Sequence, residues 1–170
     1  MSSLQENLTT LEDILVREFR ACQTLHIITK DEQKLLSNGD IHKLLTLVER
    51  KESVLDNLSQ LEEKLRIIVL DLATIVNLHP QSASLGEVLS VINNDFSERL
   101  ERLREGILAL LGVIRNLTYG NQAIATAGLE RLDGVQAFLL DLYQSVSDYN
   151  QIEETQTQPL PLALDLDHRA

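Results

Sequence analysis

The chain has 170 residues, a formal charge of −11, 44% apolar residues and 4% aromatics, with no tryptophan and a single cysteine. The length suggests one domain, and the apolar share suffices for a core. Nucleic acid and anionic membrane surfaces are poor partners for so acidic a chain, because Lys and Arg supply the affinity for phosphate. One cysteine, Cys22, excludes a disulfide framework and a Cys-based zinc site.

The apolar residues are mainly leucine, isoleucine and valine, and glycine and proline are scarce, which suits helix seams and not β-sandwiches or barrels. Met1 to Leu4 shows no basic region followed by an apolar core, so no signal peptide is expected. No apolar run reaches the roughly 18 residues of a membrane span. A soluble cytoplasmic protein is the expectation.

The first helix is expected over about residues 3–36. Ser3 and Glu6 have the spacing of a capping box at its start. Leu4, Leu8, Leu11, Leu15, Cys22 and Leu25 follow steps of three and four, with Phe19 and Ile28 beside that seam. Cys22 thus reads as a small buried hydrophobe. Ser37-Asn38-Gly39-Asp40 interrupts the pattern. Gly39 suits the left-handed position that closes a helix, and Asp40 can cap the next one. So short a joint forces an antiparallel hairpin.

The second helix, over 40–76, shows Ile41, Leu44, Val48, Lys51, Leu55, Leu58, Glu62, Leu65, Val69, Leu72 and Val76 in alternating steps of three and four. Lys51 and Glu62, the polar members, read as snorkelling or register-setting residues. The helix should stop before Pro80. After a loop from Asn77 to Ser84, a short amphipathic helix is expected over 85–92. Asn93-Asn94-Asp95 then offers caps for a long helix over 95–149.

Along that long helix the seam runs Phe96, Leu100, Leu103, Ile107, Leu110, Ile114, Leu117, Asn121, Ile124, Gly128, Arg131, Val135, Phe138, Leu142, Ser145 and Tyr149. Steps averaging about 3.5 residues are the geometry of a helix that faces another helix. From Thr118 to Gly134 the composition turns small, and each glycine costs about 1 kcal/mol in a helix interior. Gly120, Gly128 and Gly134 therefore mark a flexible segment: the helix either breaks near Gly120 or continues because something packs on it. Beyond it Leu132, Val135, Phe138, Leu139, Leu142, Tyr143, Val146 and Tyr149 make a broad apolar surface. The two earlier helices, about 34 and 37 residues, cannot cover a partner of about 54, so part of this surface should be exposed and mark a binding site. The alternative is that the interhelical segment or the tail folds back over it. From residue 150 the chain is polar, then carries Pro159, Pro161 and an alternation of Leu160, Leu162, Leu164 and Leu166; it reads as a disordered tail. The whole is expected to be all-α, an elongated antiparallel three-helix bundle or coiled coil with a very long C-terminal helix.

No catalytic or metal site emerges. His26, His42, His79 and His168 have no partner at ligand spacing, no phosphate loop is present, and paired Glu-x-x-His motifs are missing. The expectation is a binding protein that is not an enzyme and has no cofactor.

Leu4 to about Tyr149 resembles the FlgN-type flagellar export chaperones. The resemblance rests on the leucine-rich first helix, the turn Asn38-Gly39-Asp40, Lys51-Glu52 followed by Val54-Leu55, the Leu58, Leu61, Leu65-Arg66 run, and Asn121 with Ile124 on the long third helix. Where the family tends to have a pair of leucines after the asparagine, this chain has Ile124-Ala125. The resemblance implies a cytoplasmic chaperone, without catalysis or cofactor, that binds newly made hook–filament junction (hook-associated) proteins through their C-terminal segments. It implies that these are kept from assembling early and delivered to the type III export gate. It also implies that cargo is held by the C-terminal half of the long helix. A helical adaptor or scaffold unrelated to flagella is the alternative, self-assembled through Phe96–Leu117. Whether the free protein is a monomer or a homo-oligomer is left open by the sequence.

Overall fold

The computed structural model describes residues 2–81, 83–93 and 95–156, with side chains from 4 to 144 within those ranges. Four helices follow one another: α1 (Ser2–Asn38), α2 (Ile41–Ile75), α3 (Leu85–Ile92) and α4 (Asp95–Gln156). Among the described residues there is no strand. The chain divides into two compact units, Met1–Ala125 and Thr126–Ala170.

In the first unit, α1 closes where the sequence asks it to. Gly39 sits at φ +69°, a left-handed conformation that a β-carbon would strain. The Asp40 amide donates to the Leu35 carbonyl across this turn. The Asp40 carboxylate then accepts from the Lys43 amide and caps α2. Contacts between α1 and α2 pair rising numbers with falling ones: Glu32 meets Lys51, and further down Glu18 faces Glu62. The two helices are therefore antiparallel. Contacts between α1 and α4 keep a nearly constant offset, 87 residues for Glu12 with Arg99 and 92 for Thr29 with Asn121, so these two run parallel. The topology is up, down, up.

The core of this unit joins Leu8, Leu11, Leu15, Cys22 and Leu25 of α1 to Val69, Leu72 and Ala73 of α2 and to Leu100, Ile107 and Ile114 of α4. Short α3 adds Val88 and Leu89. Ser84 and Glu87 form a reciprocal capping box at its start, and Asn93 closes it in the left-handed region at φ 39°. Asn93 therefore ends α3; Asn94, between it and α4, lies outside the described residues.

The α4 seam is seated as expected through Asn121, with Leu100, Ile107, Ile114 and Asn121 buried and Leu103, Leu110, Leu117 and Ile124 half-buried between them. On α2 the packed face differs from the expected seam. Leu44, Leu47, Lys51, Val54, Leu58, Leu61 and Leu65 are half-buried or buried, whereas Ile41, Val48, Leu55 and Glu62 are exposed. Both sets obey three-four spacing, because α2 carries apolar pairs at Leu47-Val48 and Val54-Leu55. Packing against α1 selects the first member of each pair.

Two ends also differ from the expectation. α1 already includes Ser2, so Ser3 is inside the helix, and its side chain lies outside those described. α4 continues past Tyr149 to Gln156, since Gln151 to Gln156 contains no proline or glycine to stop it. The expected tail from 157 onward lies outside the described residues.

Candidate functional site

In the second unit, every described side chain from Thr126 to Gln144 is exposed. Eight large apolar residues of this stretch form the candidate surface or flank it, among them Leu142 at 49% and Tyr143 at 79% exposure. At about 100° per residue, Leu132, Val135, Leu139, Leu142 and Tyr143 fall within an arc of about 100° on the helix. Phe138 borders this arc on one side and Leu129 and Leu140 on the other; all three are exposed. Glu130, Asp133, Asp141 and Gln144 lie on the opposite side. The segment is thus a strongly amphipathic helix whose apolar face is in water. Of the eight residues expected to bind a partner, Leu132, Val135, Phe138, Leu139, Leu142 and Tyr143 share this exposed surface. The side chains of Val146 and Tyr149 lie outside those described.

The glycine segment does not interrupt the helix: Gly120, Gly128 and Gly134 are all inside α4. Of the two expected alternatives at Gly120, a break is not seen: the helix continues, and a β-carbon there would lie 3.6 Å from the Gln33 amide of α1. A β-carbon at Gly128 or at Gly134 would meet nothing within 4 Å among the described residues.

Next to Gly120 lies a polar layer through all three long helices. Asn121 of α4 is 4% exposed, and its Nδ2 donates to the Thr29 carbonyl at 2.9 Å and to Glu32 Oε2 at 2.7 Å. Lys51 Nζ of α2 reaches the same Glu32 oxygen at 2.7 Å. Two residues on which the family resemblance rests, Lys51 and Asn121, therefore converge on one carboxylate of α1. The sequence does not single out Glu32, although it continues the α1 rhythm from Leu25 and Thr29. Nothing in a single chain ties a glutamate on one helix to an asparagine 89 residues away. Such a layer fixes register, since a one-turn slip would leave Glu32 half-buried without its cation.

Glu18 is the layer's opposite. Burial, and secondly the nearby Glu62 carboxylate, hold its carboxyl above the ordinary value of 4.5, and its Oε2 has no hydrogen-bond partner among the described residues. Cys22, one turn on, is fully buried; burial first and Glu18 second push its thiol up to about 11. This is a packed thiol and not a nucleophile. Among the described residues no group of three His, Cys, Asp or Glu side chains could hold a metal, and no helix is long and apolar enough to cross a membrane.

The exposed face of α4 can do one thing chemically: bury apolar surface against another chain. No curated protein and no solved structure matches the sequence. The protein family described as FlgN protein matches residues 1–154, nearly the whole chain, from α1 to within two residues of the end of α4. The chain therefore belongs to the FlgN family of flagellar export chaperones, a non-enzymatic family.

Proposed function

We propose that this chaperone acts in the cytoplasm on hook-associated proteins, holding their C-terminal segments on α4 and delivering them to the type III export gate. The observation that carries this reading is the exposed apolar arc of Leu132, Val135, Leu139, Leu142 and Tyr143, flanked by Phe138. An amphipathic segment of the cargo packs on this arc as helix beside helix, with Val146 and Tyr149 extending the contact. Gly120, Gly128 and Gly134 lower the cost of bending this half of α4 as the cargo docks. Ordering a cargo segment on binding weakens the complex per unit of buried area, which suits a cargo that must be released.

The scaffold alternative requires Phe96–Leu117 to be free for self-assembly. In the first unit that seam is already used: Leu100, Ile107 and Ile114 are buried in the core with α1. The substitutions Phe138→Asp and Leu142→Asp test the cargo reading. Together they should weaken binding of a hook-associated protein by roughly a hundredfold or more, as two buried apolar contacts are lost. Helicity by circular dichroism should stay unchanged, since both side chains are exposed. Unaltered affinity would place the cargo site elsewhere.

A further inference from the structure

A second unpartnered face lies wholly within the first unit, on α2. The track through Ile41, Leu45, Val48 and Leu55 keeps three-four spacing, yet all four side chains are exposed, Ile41 and Leu45 at 61%. At about 100° per residue they fall within an arc of about 80°. Packing against α1 uses the other line of α2, through Leu47, Val54 and Leu61, and leaves this arc in water. From Ile41 to Asp56 the stripe is about 22 Å long, some four turns of helix.

The charges beside the arc define what can cover it. Glu49, Glu52 and Asp56 stand three and four residues apart, Glu52 within the arc and the other two along one edge. All three are exposed, and none forms an ion pair among the described residues. The nearby cations are engaged elsewhere, Lys43 with Asp40, Lys51 with Glu32 and Arg66 with Glu63, while Arg50 lies on the opposite side of α2. Like charges at this spacing repel along a helix, and cations laid beside them relieve that repulsion. A second copy of the same face would set acid against acid, and an anionic membrane would do likewise. We infer that the arc binds a basic amphipathic helix of another protein. Its apolar residues pack on Leu45, Val48 and Leu55, and its Lys or Arg side chains pair with Glu49, Glu52 and Asp56. The chain's charge of −11 steers such a partner in. This surface belongs to the first unit and does not depend on the cargo reading.

The test uses the full chain carrying Phe138→Asp and Leu142→Asp, which silences the apolar face of α4. The probe is a fluorescent synthetic helix with leucines at three-four spacing and lysines elsewhere, followed by anisotropy. It should bind, and the affinity should fall as salt rises. Adding Leu45→Asp and Leu55→Asp should weaken binding at least about tenfold, with helicity unchanged because both side chains are exposed. Glu49→Lys, Glu52→Lys and Asp56→Lys together should weaken it by a similar factor, and a probe with glutamates in place of the lysines should recover binding to that variant alone. Absence of binding to the parent, or affinity indifferent to Leu45→Asp and Leu55→Asp, would overturn the arc as the site. Affinity indifferent to the charge reversal, or no recovery with the acidic probe, would overturn the basic partner. A dimer of the parent in sedimentation equilibrium that dissociates with Leu45→Asp and Leu55→Asp would assign the arc to a second copy instead.

Discussion

Glu32, Lys51 and Asn121 show how few polar atoms can hold three helices in register. One carboxylate oxygen accepts from both an ammonium and an amide, in a place where Lys51 and Glu32 are 18% and 14% exposed. Removing the cation leaves the carboxylate partly desolvated, with a single amide donor. Lys51→Met should therefore destabilise the protein by about 2 kcal/mol, somewhat below the loss seen when fully buried pairs are broken. Urea denaturation checks this, and an unchanged midpoint would remove the layer from the account of register. Glu18 predicts the reverse sign. Its folded-state carboxyl lies above the ordinary 4.5 because burial, and then Glu62, disfavour the charge. The native chain therefore holds that proton more tightly than the unfolded chain does. The resulting stabilisation is full below pH 4.5 and is lost as pH rises through the folded value. Glu18→Gln should accordingly raise stability at about pH 7, with the gain over the parent shrinking as pH falls toward about 4. Thermal denaturation across that range measures it; a gain constant with pH would mean the benefit is packing and not charge.

At the scale of single helices, α2 is the informative element. Its packed face contains Leu61, 3% exposed, while Leu55 is exposed at 45%. Leu61→Ala should cost about 3 kcal/mol, as expected for a core leucine, and Leu55→Ala less than about 1 kcal/mol, as for a surface site. Equal costs, measured by chemical denaturation, would return the seam to the line through Val48 and Leu55. The difficulty of choosing between these lines in the sequence is physical. Where apolar residues stand in adjacent pairs, two three-four tracks are equally regular, and only the neighbouring helix decides which is buried. α4 poses no such choice up to Glu105, because charged residues such as Glu98, Arg99, Arg102 and Glu105 fill the positions outside its seam, whereas apolar pairs return at Ile107-Leu108, Leu110-Leu111 and Val113-Ile114. There the periodicity can be read residue by residue. The Gly39 turn and the Asp40 cap are legible for the same reason: each needs a particular residue type at one position. The capping box at Ser84 and Glu87 is equally written in the sequence, as Ser-x-x-Glu before an apolar run, and it closes the expected loop from Asn77 to Ser84 where the expected helix over 85–92 begins. The candidate site is legible as a length mismatch between helices. The polar layer is legible only in part, since it depends on a tertiary meeting of three distant residues.

On the scale of the whole molecule, the chain separates two tasks. The first unit builds its core from all four helices and buries the α4 seam through Asn121. The second presents apolar residues to water on a helix whose other side is acidic. A net charge of −11 disfavours nucleic acid and favours solubility of a chain with such a surface. The most direct test of this division is co-purification from the cytosol of a flagellated bacterium, using the intact chain and one lacking residues 135–149, with the bound proteins identified by mass spectrometry. Hook-associated proteins should be recovered with the intact chain and lost with the deletion. Their recovery with both chains, or with neither, would contradict the assignment of the exposed α4 face as the cargo site.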